Sequence, residues 1–150
     1  MRYLTRTIHY KYNEPVRLVL FGDTHDGSTY FARRHFIKFL ADSMDHPNAW
    51  IVGMGDHVDA LIPSDTKRFQ LSTIDPKFLA AENPDEILTL QANDFVKLIS
   101  PYRDRLLGLC LGNHEEAISK RHGFNIHRHI CDSLACENRG YSFLFLLKLT

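Results

Sequence analysis

Short apolar runs that end in glycine and turn at once to polar residues set the pattern of this chain. Residues 16–21 run into Gly22-Asp23-Thr24-His25, residues 50–52 into Gly53-Met54-Gly55-Asp56-His57-Val58-Asp59, and residues 106–111 into Gly112-Asn113-His114-Glu115. Brief continuous apolar runs bounded by turn residues read as buried strands. Carboxylate, imidazole and amide groups just past such strands stand where open α/β sheets gather their functional groups. Between the first two runs, Ser28 is placed to cap a helix whose apolar positions Phe31, Phe36, Ile37, Phe39 and Leu40 recur near helical spacing and stop before Pro47. Strand, helix and strand in succession argue for parallel pairing with a right-handed crossover.

The remaining elements are read in the same way. Residues 1–14 alternate weakly through Tyr3, Ile8, Tyr10 and Tyr12, which predicts an edge strand or hairpin before Pro15. Residues 61–83 carry Pro63 and Pro76 without a sustained period and predict a long loop with at most one helical turn. Pro84-Asp85-Glu86 opens a helix with proline in its first turn and acids at the positive end of its dipole, continuing through Ile87, Leu90, Phe95, Leu98 and Ile99 to Pro101. After the third run come a short helical piece over 116–121, a break at Gly123, a helix over 125–134 and an apolar strand over 141–149. That strand needs a partner, because an open apolar edge associates with other chains. Either it pairs internally or further chain completes its sheet; self-association through it is the third expectation. The fold class expected is α/β, a single domain over 1–150 with a central mixed sheet and helices on its outer faces.

Composition narrows the function classes. With 18 Lys and Arg against 18 Asp and Glu, no global field steers the chain toward nucleic acid or an anionic membrane, although a local basic face remains compatible with that balance. Cys110, Cys131 and Cys136 are odd in number and lack framework spacing, so they read as reduced thiols in a cytoplasmic protein. No 18-residue apolar run and no signal-peptide pattern occur, so neither a membrane span nor export is expected.

The chemistry lies in the three polar turns. Asp, His and Asn are ligands suited to manganese, iron or zinc in a site without thiolates. Asp23 and His25, one residue apart, can reach one ion; Asp56 can bridge to a second, and Asn113 can add a carbonyl oxygen there. Two ions a few ångströms apart clamp a phosphate and activate water, which points to phosphoester hydrolysis. Taken singly, each motif is also ordinary turn chemistry; three in order are a stronger signal.

Asp23-x-His25, Gly55-Asp56-x-x-Asp59 and Gly112-Asn113-His114-Glu115 together resemble the three amino-terminal motifs of the calcineurin-like metallophosphoesterase superfamily. The resemblance implies a β-sandwich flanked by helices, of which this chain holds the amino-terminal half. It also implies a dinuclear centre, most often manganese, with Asp23, His25, Asp56 and Asn113 as ligands. By the same resemblance His114 contacts the substrate phosphate and assists the leaving group, and Asp59 orients His114. Two departures stand beside it. Ala60-Leu61 replaces the Arg-Gly that follows the second motif in protein phosphatases, and no Gly-His pair supplies the family's later histidine ligands. The expectation is therefore the front part of a longer enzyme that hydrolyses phosphomonoesters or phosphodiesters. A DNA-repair-type nuclease, with nucleic acid as partner, and a non-catalytic metal-binding or interaction fragment are the alternatives. His57 reads as a supporting residue and not a ligand. The spacings of His122, His127, His129, Cys131 and Cys136 fit no standard zinc site. Lys120, Arg121 and Arg128 read as a solvated face, and Phe31, Phe36, Phe39 and Phe95 as core.

Overall fold

The computed structural model describes residues 3–150 and is an α/β assembly built on two small parallel sheets. The strands and helices are β1 (Tyr3–Ile8), β2 (Arg17–Phe21), α1 (Arg33–Met44), β3 (Ala49–Gly53), α2 (Pro84–Ile99), β4 (Leu106–Leu109), α3 (Asn113–His122), α4 (Ile126–Ser133) and β5 (Leu144–Leu149). The first sheet has the order β2-β3-β4, and the second pairs β1 with β5. The single mixed sheet expected from the sequence is thus replaced by two parallel ones. Parallel pairing of β2 with β3, in the register Val19↔Ile51 and Phe21↔Gly53, agrees with the strand–helix–strand reading.

Alternation decides which side of the central sheet is core. Val19 and Phe21 are buried with Ile51, Leu40 and Met44 of α1, and Phe95 and Ile99 of α2. Their alternates Leu18 and Leu20 face the other way and stay 45% and 54% exposed. α2 lies against α4, whose Ile126 and Ile130 join the same core. Asn83 caps α2 by accepting from Glu86 N–H at 2.9 Å, with Pro84 in the first turn.

Two boundaries differ from expectation. α1 begins at Arg33, not after Ser28: Ser28 is held in an antiparallel bridge with Ile74, and its hydroxyl accepts from Tyr30 N–H at 3.2 Å. α3 begins at Asn113, inside the third motif, so the motif forms the helix's first turn. The last strand pairs internally with β1, Tyr3↔Leu144 through Ile8↔Leu149, yet Leu144, Leu146 and Leu149 remain about half exposed. The segment 61–83 holds only a short 3-10 turn, Pro76–Phe78. Among the described residues no helix is long and apolar enough to cross a membrane, and all three cysteines are free thiols.

Candidate metal centre

Because β2, β3 and β4 run parallel, their carboxyl ends share one edge, and the turns that follow them meet there. Backbone bonds lace the first two turns together: Asp23 N–H to Gly55 O at 3.1 Å, His25 N–H to Asp56 O at 3.1 Å, Asp26 N–H to His57 O at 3.0 Å and Asp59 N–H to Asp26 O at 2.9 Å. The Thr24 hydroxyl adds a bond to His57 O at 2.7 Å. Asp23, His25 and Asp56 all take left-handed backbone, with φ of 50°, 48° and 50°. Asp and His tolerate this region better than most residues, but it still costs energy and persists where surrounding structure enforces it. Its effect is to bring the side chains of Asp23, His25 and Asp56 toward one point.

Two groups of ligand atoms result. One oxygen or nitrogen from each of Asp23, His25 and Asp56 lies within 4.8 Å of the others, and the same holds for His25, Asp59 and His114. His25 belongs to both. The donor set of the first group, two carboxylates and an imidazole, fits a divalent cation of the manganese, iron or zinc kind. Asn113 opens α3 at this edge with an exposed side chain, and the next amide, His114 N–H, donates to Asp56 Oδ1 at 3.0 Å. Gly112 makes that approach possible, since a Cβ there would overlap Asp56 N and Oδ1 and the Glu115 carboxylate.

Asp59 stands beside two imidazoles, 3.0 Å from His114 Nδ1 and 3.4 Å from His25 Nδ1. Burial works to raise its carboxyl, but the hydrogen bonds from His114 and His25 outweigh it and hold the group well below the usual carboxylate range. In return the Asp59 carboxylate raises the His114 imidazole, against burial and the nearby Arg68 charge. His57 is fully buried between Phe21 and Phe95, and its Nε2–H donates to Cys110 O at 3.2 Å. Burial pushes its imidazole down to about 4, so it is neutral and supports the turn from behind.

Two residues escaped the sequence reading. Glu115, fully buried, accepts from His57 N–H at 2.6 Å, Val58 N–H at 3.1 Å and Gly112 N–H at 3.1 Å, tying the second turn to the third. Its place in the third motif was the available signal. Burial pushes its carboxyl up, and the amides it accepts from pull the other way. Arg68, from the aperiodic loop, reaches His114 Nδ1 at 2.9 Å while its Nε holds the buried Asp65 at 2.8 Å. Arg121 also reaches Asp65, at 3.1 Å, whereas Lys120 and Arg128 pair along their own helices with Glu116 and Asp132. No zinc cluster forms among the described residues of the α4 region: His127 Nε2 lies 3.6 Å from Cys131 Sγ and His129 Nε2 lies 3.0 Å from Asn93 Oδ1.

A cavity of about 610 Å³ opens beside Asp23, His25, Asp59 and His114, and aromatic residues also line it. Chemically, the edge offers a hard-ligand group for a cation and a carboxylate-held imidazole beside an open space, with the Arg68 guanidinium against that imidazole. Compared with protein-family models, curated proteins and solved structures, the chain matches none.

Proposed function

We propose that the chain is a metal-dependent hydrolase of phosphoester bonds, of the calcineurin-like metallophosphoesterase type its three motifs resemble. One observation carries the reading: turns after two separate strands, held in left-handed backbone, bring donor atoms of Asp23, His25 and Asp56 within 4.8 Å of one another. Structural carboxylates do not require three strained residues aimed at a common point. Asp23, His25 and Asp56 would hold one ion, and Asp56 with Asn113 a second, more weakly held one. Bound ions of this kind supply Lewis acidity toward the phosphoryl oxygens and the attacking water.

The chain's own residues do the rest. Asp59 takes the Nδ1–H of His114 and favours its protonated form, which leaves Nε2–H to donate to the leaving-group oxygen. Arg68 carries only donors, so an imidazole that gives Nδ1–H to Asp59 leaves the facing guanidinium N–H free for a phosphoryl oxygen. Asp65 keeps that guanidinium in place from the buried side.

The test is manganese titration of the metal-free protein by calorimetry, with hydrolysis of a chromogenic aryl phosphodiester followed in the same samples. The expected result is one stronger and one weaker site with turnover, which would mean that the chain needs none of the later histidine ligands, and loss of both binding and turnover in Asp56→Asn. Absence of binding, or tight binding without turnover, favours the non-catalytic alternative.

A further inference from the structure

Besides the candidate ligands, the cavity is lined by Tyr30, Phe31, Phe36 and Phe39. Tyr30 is 81% exposed and Phe39 41% exposed, which corrects the reading of Phe39 as core. Phe31, next to Tyr30 in the chain, leads to Phe39 through Phe36: ring centroids lie 5.8 Å apart for Phe31–Phe36 and 6.4 Å for Phe36–Phe39, the latter pair stacked. The loop that carries Tyr30 is fastened by Thr29 N–H to Thr73 O at 2.8 Å, so the phenol stands on a fixed support. Aromatic faces left in water beside a reactive edge offer a flat, rigid surface to a flat ligand.

Charge continues the same surface. A second cavity of about 530 Å³ shares Phe31 and His35 with the first and runs on along α1 past Arg34 and Lys38. Arg33 is committed to Asp26 and Asp94, and Lys38 pairs with Asp42 only at the exposed surface. Arg34 is exposed and has no ion-pair partner among the described residues. From the candidate centre outward the groove therefore presents metal ligands, then aromatic faces, then cations. The chemical complement is a polyanion whose phosphates alternate with unstacked aromatic bases. Duplex DNA hides its base faces; a single strand exposes them.

We infer that the groove along α1 binds single-stranded nucleic acid, with a base stacked on Tyr30 and Phe39 beside the phosphodiester at the candidate centre and a neighbouring phosphate on Arg34. The inference rests on the phosphoester reading for which phosphate reacts, but not for binding itself. It deepens that reading by giving the substrate class.

Binding is therefore measured without metal. Fluorescence anisotropy of a fluorescein-labelled oligothymidine of about twelve residues is followed in chelator over a series of salt concentrations. Wild type is expected to bind at low salt, more tightly than it binds a duplex of the same length. Tyr30→Ala and Phe39→Ala are each expected to weaken binding by roughly five- to 150-fold, the range for loss of one stacked base. Arg34→Ala should flatten the dependence of log K on log salt by about 0.7, the share of one phosphate contact on a single strand. Phe39→Leu keeps the apolar bulk without the aromatic face and should lose affinity as Phe39→Ala does, with thermal melts confirming that each variant folds. No binding at low salt, preference for duplex, or unchanged affinity in the Tyr30→Ala/Phe39→Ala double variant would overturn the inference. Turnover of the aryl phosphodiester with manganese but no oligonucleotide binding would remove this inference and leave the hydrolase reading. Strand binding without turnover would do the reverse.

Discussion

Removing the Glu115 carboxylate should cost more stability than any other single change near the edge that spares the hydrophobic core. Its two oxygens accept three buried amides, His57 and Val58 on one and Gly112 on the other, at 2.6, 3.1 and 3.1 Å. Hydrogen bonds to a charged acceptor contribute about 1.5–3 kcal/mol each, and taking a carboxylate out of water costs several kcal/mol against that sum. In E115A three buried donors lose their acceptor together, and the expected loss is about 3–5 kcal/mol. In E115Q the amide oxygen can keep the His57 and Val58 bonds while its NH2 faces the Gly112 N–H, donor against donor, so about 1–3 kcal/mol is lost. Urea denaturation of metal-free protein at pH 7 reads both losses as shifts of the midpoint at constant m, with m of about 1–3 kcal/mol/M. The order should be wild type, then E115Q, then E115A. If both variants lie within about 0.5 kcal/mol of wild type, the amides find other partners and the account of this residue fails.

Two further outcomes are expected. His57 and His127 are each pushed by burial to about 4, so between there and 6.5 the unfolded chain binds two more protons than the folded one; Asp26, raised by burial and by Asp94 to about 7, binds one in the folded state over much of that window. Asp26 therefore offsets part of the proton uptake that His57 and His127 impose on unfolding, as do the raised Glu115 and His114, and Asp26→Asn should steepen the loss of stability between pH 6 and 5 by roughly 1.4 kcal/mol per unit in urea melts at stepped pH; an unchanged slope would contradict it. Gly112→Ala forces a methyl onto Asp56 and Glu115, so its manganese affinity by calorimetry should fall by at least tenfold even if a melt shows the variant folded; unchanged affinity would mean that the turn accommodates a side chain.

How far the sequence could be read depended on how local each cause was. The cores of β2, β3 and β4 and the whole of α2 were legible, because glycine punctuation, apolar runs and the Asn83-Pro84 start act within a few residues. The meeting of Asp23, His25, Asp56, Asp59 and His114 was also legible, since parallel strands put their following turns on one edge. The start of α1 was not: Ser28 is a good cap by type, but a bridge to Ile74, far along the chain, takes it out of the helix. Arg68 lay in a loop without period, and its approach to His114 depends on Asp65 and Ala60 O, which hold its other nitrogens. Phe39 has helical spacing with the core but is 41% exposed, which long-range packing decides and local pattern does not. The split into two sheets was hidden for the same reason, since only the paired registers define it.

The pairing of β1 with β5 joins positions 141 apart in the chain, the His9–Thr150 hydrogen bond among them. Closing so large a loop is entropically costly, and a two-stranded ribbon is marginal without support. This sheet should therefore close after β2, β3 and β4 have assembled, and open before them. In hydrogen exchange the amides of β1 and β5 would then report local opening while those of β3, bonded on both sides, report global unfolding. The molecule has a late-closing seam where its first and last strands meet, and the candidate centre sits on the early-forming part.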